Sequence, residues 1–246
     1  MKIPRTHRWD VAPKRAMQIQ RDLASRVIER DRLREVRRVA GVDVGFEGEG
    51  NRIARAAVVV LDFVTLEPID YAIARLPVTF PYIPGLLSFR EVPVVLRALR
   101  ALETAPDVII VDGHGRAHPR RMGIASHLGV LLDSPTIGCA KSILCGKADE
   151  PENQVGAWSP LRDGAELIGA AVRTRAGTKP IYVSIGHRVG LERAIDLVLQ
   201  CCKRYRLPET TRYAHRVAGG ESIDLNSARK SRSQWQTSKR FSKPPD

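Results

Sequence analysis

Three apolar runs in the first eighty residues, 39–44, 54–63 and about 69–76, are separated only by short polar turns, the first of them Gly-rich at 48–51. Successive strands joined this tightly indicate an antiparallel meander. The pattern then changes. A proline-punctuated loop at 77–84 leads into a helix over about 88–103, and a short apolar strand at 108–111 ends on Asp112. A helix at 123–132, strands at 136–139 and 181–185, and a helix at 188–205 complete the alternation. Ahead of the meander, Met17, Ile19, Leu23, Val27, Ile28 and Leu33 recur at roughly helical spacing among arginines, which predicts a basic amphipathic helix over 13–35. A meander followed by strand–helix alternation is an α/β pattern: a mixed sheet with helices on its faces.

With 246 residues, 43% of them hydrophobic, the chain is long enough to bury one sizeable core. A net charge of +13, from 40 Lys and Arg against 27 Asp and Glu, attracts polyanions, of which nucleic acid is the commonest. Cys139, Cys145, Cys201 and Cys202 form no C-x-x-C pair and are expected to be reduced, mostly buried thiols. The first 38 residues are too charged for a signal peptide, and the longest apolar runs fall far short of a membrane span, so a cytoplasmic location is expected. Beyond Gly219, Ser, Arg, Lys, Gln and Pro dominate without apolar period. The expected organisation is one folded domain over 1–218 and a flexible basic tail over 219–246, in which Trp235 and Phe241 could stack on bases. A monomer is the default.

Three carboxylates stand where stability alone would not place them. Asp43 interrupts an apolar strand, Asp112 ends another, and Glu91 lies in the first turns of the helix between them. An acid in an apolar strand is costly unless paired or bound to metal. Together the three would suit Mg²⁺, which takes few protein oxygens and keeps waters and substrate phosphate. The competing reading makes them caps and surface ion pairs, and Ser88 with Glu91 does fit a capping box. Asp112 runs into a turn rich in Gly, His and Arg (Gly113, His114, Gly115, Arg116, His118, Arg120, Arg121). His114 and His118 are four apart, but Gly115 and Pro119 argue against a helical zinc pair. Tyr82, held between Pro81 and Pro84, is either a wedge between base steps or a ring folded back on the core.

These segments occur in the order of the endonuclease V family. Gly41-Val42-Asp43-Val44, Phe80-Pro81-Tyr82-Ile83-Pro84-Gly85-Leu86-Leu87-Ser88-Phe89-Arg90-Glu91 and Val111-Asp112-Gly113-His114-Gly115 resemble its successive blocks. So do His118-Pro119-Arg120, Ala125-Ser126-His127-Leu128-Gly129, Pro135-Thr136-Ile137-Gly138 with Ala140-Lys141, Lys179-Pro180-Ile181-Tyr182-Val183-Ser184, and Pro208-Glu209-Thr210-Thr211-Arg212. The match runs from about residue 10 to 218. It implies a ribonuclease H-like fold, a mixed five-stranded sheet flanked by helices. It also implies hydrolysis, dependent on Mg²⁺ or Mn²⁺, of the second phosphodiester 3′ to deoxyinosine, leaving 3′-OH and 5′-phosphate. Carried over by motif, Asp43, Glu91 and Asp112 become metal ligands with His215 completing the site, and Tyr82 becomes the wedge. Backbone at Gly85, Leu87, Gly113 and Ile124 would form the hypoxanthine pocket, while His118 and Lys141 would contact the scissile phosphate region. Deoxyinosine-containing DNA is the expected partner. The alternatives are a nuclease for inosine-containing RNA, a reader that binds inosine without cutting, and, more weakly, a junction resolvase on the same fold.

Overall fold

The computed structural model describes residues 7–225. Strands β1 (Arg38–Glu47), β2 (Ile53–Asp62) and β3 (Pro68–Pro77) form the expected antiparallel meander, with a 3-10 turn at Glu49–Asn51 between the first two. On the other side of β1, β4 (Val108–Val111) runs parallel to it, and β5 (Thr136–Ala140) runs parallel to β4. The helices α2 (Leu87–Ala101) and α3 (Ile124–Leu132) make these connections. Ahead of the sheet lies α1 (Pro13–Ala24).

The sheet has eight strands rather than five, in the order β3-β2-β1-β4-β5-β8-β7-β6. Beyond β5 come β6 (Trp158–Asp163), β7 (Glu166–Val172) and β8 (Ile181–His187), all antiparallel to their neighbours. The first two form a hairpin that the sequence pattern did not reveal. Pro160 and the polar residues around it hide β6, and Pro160 is tolerated because β6 is the outermost strand, where a missing N–H costs no ladder bond.

The first helix ends at Ala24 instead of residue 35. Past Ser25 the backbone finds partners elsewhere: the Ile28 N–H donates to His187 Nδ1 at 3.1 Å, and the Ile28 carbonyl accepts from the Arg188 N–H at 2.6 Å. Tertiary hydrogen bonds thus replace helical ones. The helix expected over 188–205 is shorter, α4 (Leu191–Gln200), and is followed by α5 (Glu209–Ala218), whose sparse apolar residues did not announce it.

Side chains alternate across the central strands with period two. Val39 of β1 and Val108 and Ile110 of β4 pack toward α4 and α5, while Ala40, Val42, Ile109 and Val111 pack toward α2 and α3. All four cysteines are free; Cys139 and Cys201 are buried. Among the described residues no helix is long and apolar enough to cross a membrane. Trp235, Phe241 and most of the basic tail lie outside the described residues.

Candidate active site

The parallel register pairs Gly41 with Ile110 and Val42 with Val111. One step further puts Asp43 beside Asp112, whose N–H donates to the Val42 carbonyl at 3.3 Å. By the alternation both carboxylates share the α5 face at the carboxyl ends of parallel strands. Ligand sites of open α/β sheets gather at such strand ends.

Gly41 brings α5 onto this face. A Cβ at Gly41 would lie 1.9 Å from the Thr210 carbonyl oxygen, so the helix backbone rests directly on the strand. From Thr210 to His215 a helix advances about 7.5 Å, close to the roughly 6.6 Å from Gly41 to Asp43 along a strand. His215 therefore arrives over Asp43, and its Nδ1–H donates to Asp43 Oδ2 at 2.7 Å. The other Asp43 oxygen accepts the Val44 N–H at 2.9 Å.

Lys141, first past β5, donates from Nζ to Asp112 Oδ2 at 2.5 Å. Burial opposes the Lys141 charge, but the bond to Asp112 and the field of Asp43 outweigh it and raise the amine above its ordinary value. Burial likewise pushes the Asp112 carboxyl up, and Lys141 only partly reverses the shift.

Glu91 completes the acidic group from α2. The capping box is not formed. Leu86 occupies the cap position with no side-chain bond, and the Ser88 hydroxyl is hydrogen-bonded to His127 Nδ1 at 3.0 Å. No hydrogen bond or ion pair reaches the Glu91 carboxylate from the described residues. Burial, then Asp43, then Asp112 push it up to about 8, with Arg90 pulling the other way. Arg90 itself is committed to the neighbouring loop, donating to the Phe80 carbonyl at 2.9 Å with its guanidinium over the Phe46 ring.

A cavity of about 220 Å³ opens beside this group. Tyr82, Gly85, Leu87, His118 and Ile124 line it, with Ser88 and His114 from the same motifs, and so do Gln20, Ser142 and Leu144, which the motifs did not single out. Leu87 with Ser88, and Ile124, are the first residues of α2 and α3, and N–H groups in the first turn of a helix have no intrahelical acceptor. Tyr82 is not folded back on the core: it is 70% exposed at the loop tip. Gly113 is pressed against Ile124, whose side chain a Cβ would meet at 2.6 Å.

His118 sits differently from the expected phosphate contact. Its side chain is 2% exposed; Nε2–H donates to the Gly85 carbonyl at 2.9 Å, and Nδ1 accepts the Arg120 N–H at 3.1 Å. Both ring nitrogens are used within the protein, and burial lowers the ring to about 4, so it stays neutral. Its place is that of a brace within the cavity wall.

Among the described residues no three His, Cys, Asp or Glu side chains form a ready-made metal cage. His215 and Lys141 instead pair with two of the acids. The donor set nonetheless fits a hard divalent cation. A half-buried carboxylate without a partner among the described residues, held protonated by its partial desolvation and by the two other acids, is the electrostatic deficit such an ion would relieve.

A strongly basic chain with clustered carboxylates, a lysine among them and a cavity at two helix starts has the equipment of an endonuclease. The sequence profile of endonuclease V matches residues 21–216. The chain belongs to the endonuclease V family, a family of nucleases that are typically metal-dependent. It is 57% identical over 210 residues to the endonuclease V of Roseiflexus sp. strain RS-1, covering 85% of this chain and 93% of the relative. The crystal structure of the Streptomyces avermitilis enzyme superposes with a TM-score of 0.82 at 45% identity, covering 86% of this chain and 93% of the other. Endonuclease V of Ciona intestinalis, solved in complex with a 23mer DNA containing an inosine followed by a ribo-adenosine, superposes with a TM-score of 0.73 at 26% identity, covering 85% and 97%.

Proposed function

We propose that this endonuclease recognises deoxyinosine, the product of adenine deamination, in DNA and hydrolyses the second phosphodiester bond 3′ to it, leaving 3′-OH and 5′-phosphate. The observation that carries the reading is a cavity bordered by two helix N-termini and placed next to the carboxylates. Deamination replaces the amino donor of adenine with a carbonyl acceptor. N–H groups of Leu87, Ser88 and Ile124, which lack intrahelical acceptors, with the positive ends of α2 and α3 behind them, favour that acceptor and disfavour an amino group. The Ciona relative, solved with an inosine-containing DNA, supports inosine as the occupant. Extruding a weakly paired base costs less than extruding a normal one.

Asp43, Glu91 and Asp112, with His215 at the rim, would hold Mg²⁺ or, in its place, Mn²⁺. Bound there, the ion supplies an acidified water and neutralises charge on the phosphate. Lys141 places a permanent cation against Asp112, where it stabilises negative charge developing on the scissile phosphate. Tyr82 fills the gap in the stack. The acids, the lysine and the cavity all come from one chain, so a monomer acting in the cytoplasm suffices. The catalytic domain is taken as 1–218, with the basic residues beyond it adding salt-dependent phosphate affinity.

Two outcomes test this arrangement. Tyr82→Ala should weaken binding to a deoxyinosine duplex about tenfold or more, since stacking on an aromatic is worth about 1–3 kcal/mol per base; equal affinity in a binding titration rules out the wedge. A second concerns pH. Glu91 binds the cation only when ionised, and its proton is held up to about pH 8 in the metal-free protein. The Mg²⁺ concentration giving half-maximal cutting should therefore fall as pH rises from 6.5 to 8.5, by up to about tenfold per unit. A half-saturation that does not change with pH removes Glu91 from the ligand set.

A further inference from the structure

We infer that Gln20, on α1, is a positioning residue that sets the shape of the base cavity and with it the discrimination between lesion bases. The inference rests on reading that cavity as the lesion pocket. Polar side chains on a helix ordinarily face solvent, but Gln20 is 1% exposed. Its carboxamide is almost fully used. Nε2 donates to the Gly85 carbonyl and to the Met122 carbonyl, each at 3.0 Å, and Oε1 accepts from Arg120 Nε at 2.6 Å. The two carbonyls belong to the two segments that lead into α2 and α3, whose first residues line the cavity. Gly85 closes the loop that carries Tyr82 and leads into α2, and Met122 lies two residues before Ile124 at the start of α3. One amide thus staples both segments at a fixed separation.

The Gly85 carbonyl shows how heavily this point is held. It accepts from Gln20, from His118 Nε2 at 2.9 Å and from Arg120 Nη2 at 2.7 Å. Gly85 has φ +78°, a conformation that glycine adopts without strain, and a Cβ there would come within 2.8 Å of Arg120 Nη2. With three donors on it, this carbonyl faces the protein and is spent as an acceptor. The cavity keeps the helix N-terminal donors, which suit a 6-oxo base. Releasing the staple lets the Gly85 peptide turn and the segments separate, and both changes erode selectivity for that base. The acids and Lys141 lie outside the staple.

The test is single-turnover cutting of duplexes carrying deoxyinosine, deoxyuridine or no lesion by wild type, Gln20→Met and Gln20→Glu, with thermal unfolding of each. Met keeps the length without polar groups; Glu keeps the acceptor for Arg120 but cannot donate to either carbonyl. Both variants are expected to raise the half-saturating enzyme concentration on deoxyinosine by about ten- to a hundredfold, the scale on which a displacement near 1 Å acts. The saturated rate should fall far less, and the preference for deoxyinosine over the other two duplexes should narrow. Half-saturation and preference equal to wild type in either variant, whatever the melting temperature, overturn the inference. So does a loss confined to the saturated rate. If Gln20→Met does not fold, Arg120→Lys reads the same staple from its other side and must narrow the preference in the same direction. Wild-type cutting in the same series keeps failure of this inference apart from failure of the deoxyinosine reading, in which wild type itself would show no preference.

Discussion

Glu91→Gln is expected to yield a protein that is more stable than wild type in metal-free buffer at pH 9 and that no longer cuts. The carboxyl is held at about 8 in the fold against 4.5 as its ordinary value. A group raised in this way contributes stability that is complete below its unfolded value and disappears as pH climbs through the folded one. Above pH 8 wild type carries an uncompensated half-buried charge beside Asp43 and Asp112, and the neutral amide does not. At about 1.4 kcal/mol per pKa unit the difference has a ceiling near 5 kcal/mol, and relaxation around a site open to water brings the expected gain to about 3 kcal/mol, or roughly 6–10 °C in Tm. The gain should shrink toward pH 5. Cutting should drop by about 10²–10³-fold or more, because a neutral amide cannot replace an anionic oxygen at the cation. Thermal unfolding in EDTA at pH 5, 7 and 9, with a nicking assay beside it, reads both effects. A variant less stable at pH 9, or one that cuts within tenfold of wild type, contradicts the placement of Glu91. Stability given up for an active charge is a common trade in enzymes.

Gly41→Ala should be as damaging to the fold as Glu91→Gln is to catalysis. The added methyl would meet the oxygen and carbon of the Thr210 peptide at 1.9 and 2.2 Å, and neither can rotate aside. Either the strand distorts or α5 lifts, and α5 carries His215. The expected cost is about 3 kcal/mol, at the upper end for overpacking, with cutting reduced as His215 leaves Asp43. Gly45→Ala is the control on the same strand and face. Its Cβ would approach the Ala218 carbonyl only to 3.2 Å, a few tenths of an ångström of adjustment, and should cost under about 1 kcal/mol. Equal denaturation midpoints for the two variants would show that α5 does not rest on Gly41.

The meander strands were legible because their apolar runs are long and their turns short. Asp43 and Asp112 stood out because an acid at a buried strand position needs a reason. Other parts were hidden for physical causes. The end of α1 is decided by hydrogen bonds from Ile28 to His187 and Arg188, more than 150 residues away in sequence, so helical periodicity carried the expected helix too far. The β6–β7 hairpin is masked by Pro160, harmless only on an edge that sequence does not reveal. Ser88 and Glu91 match a capping box by type and spacing, yet His127 takes the serine hydroxyl. The cavity itself depends on main-chain groups of Leu87 and Ile124, which side-chain identity does not report, so only resemblance to family motifs could point there. Gln20 gave no signal. Its burial is created by the two loops it joins.

The most direct test is a nicking assay on a labelled duplex with one deoxyinosine, run with Mg²⁺, with EDTA, and with Asp43→Ala beside wild type. An undamaged duplex and the matching inosine RNA complete the set. The expected result is a single metal-dependent nick at the second phosphodiester 3′ to deoxyinosine, absent in EDTA and with Asp43→Ala, while that variant still binds the lesion duplex. Cutting confined to the RNA would transfer the same site to inosine-containing RNA. Tight binding by wild type without a nick on either substrate would contradict the catalytic role assigned to Asp43, Glu91 and Asp112.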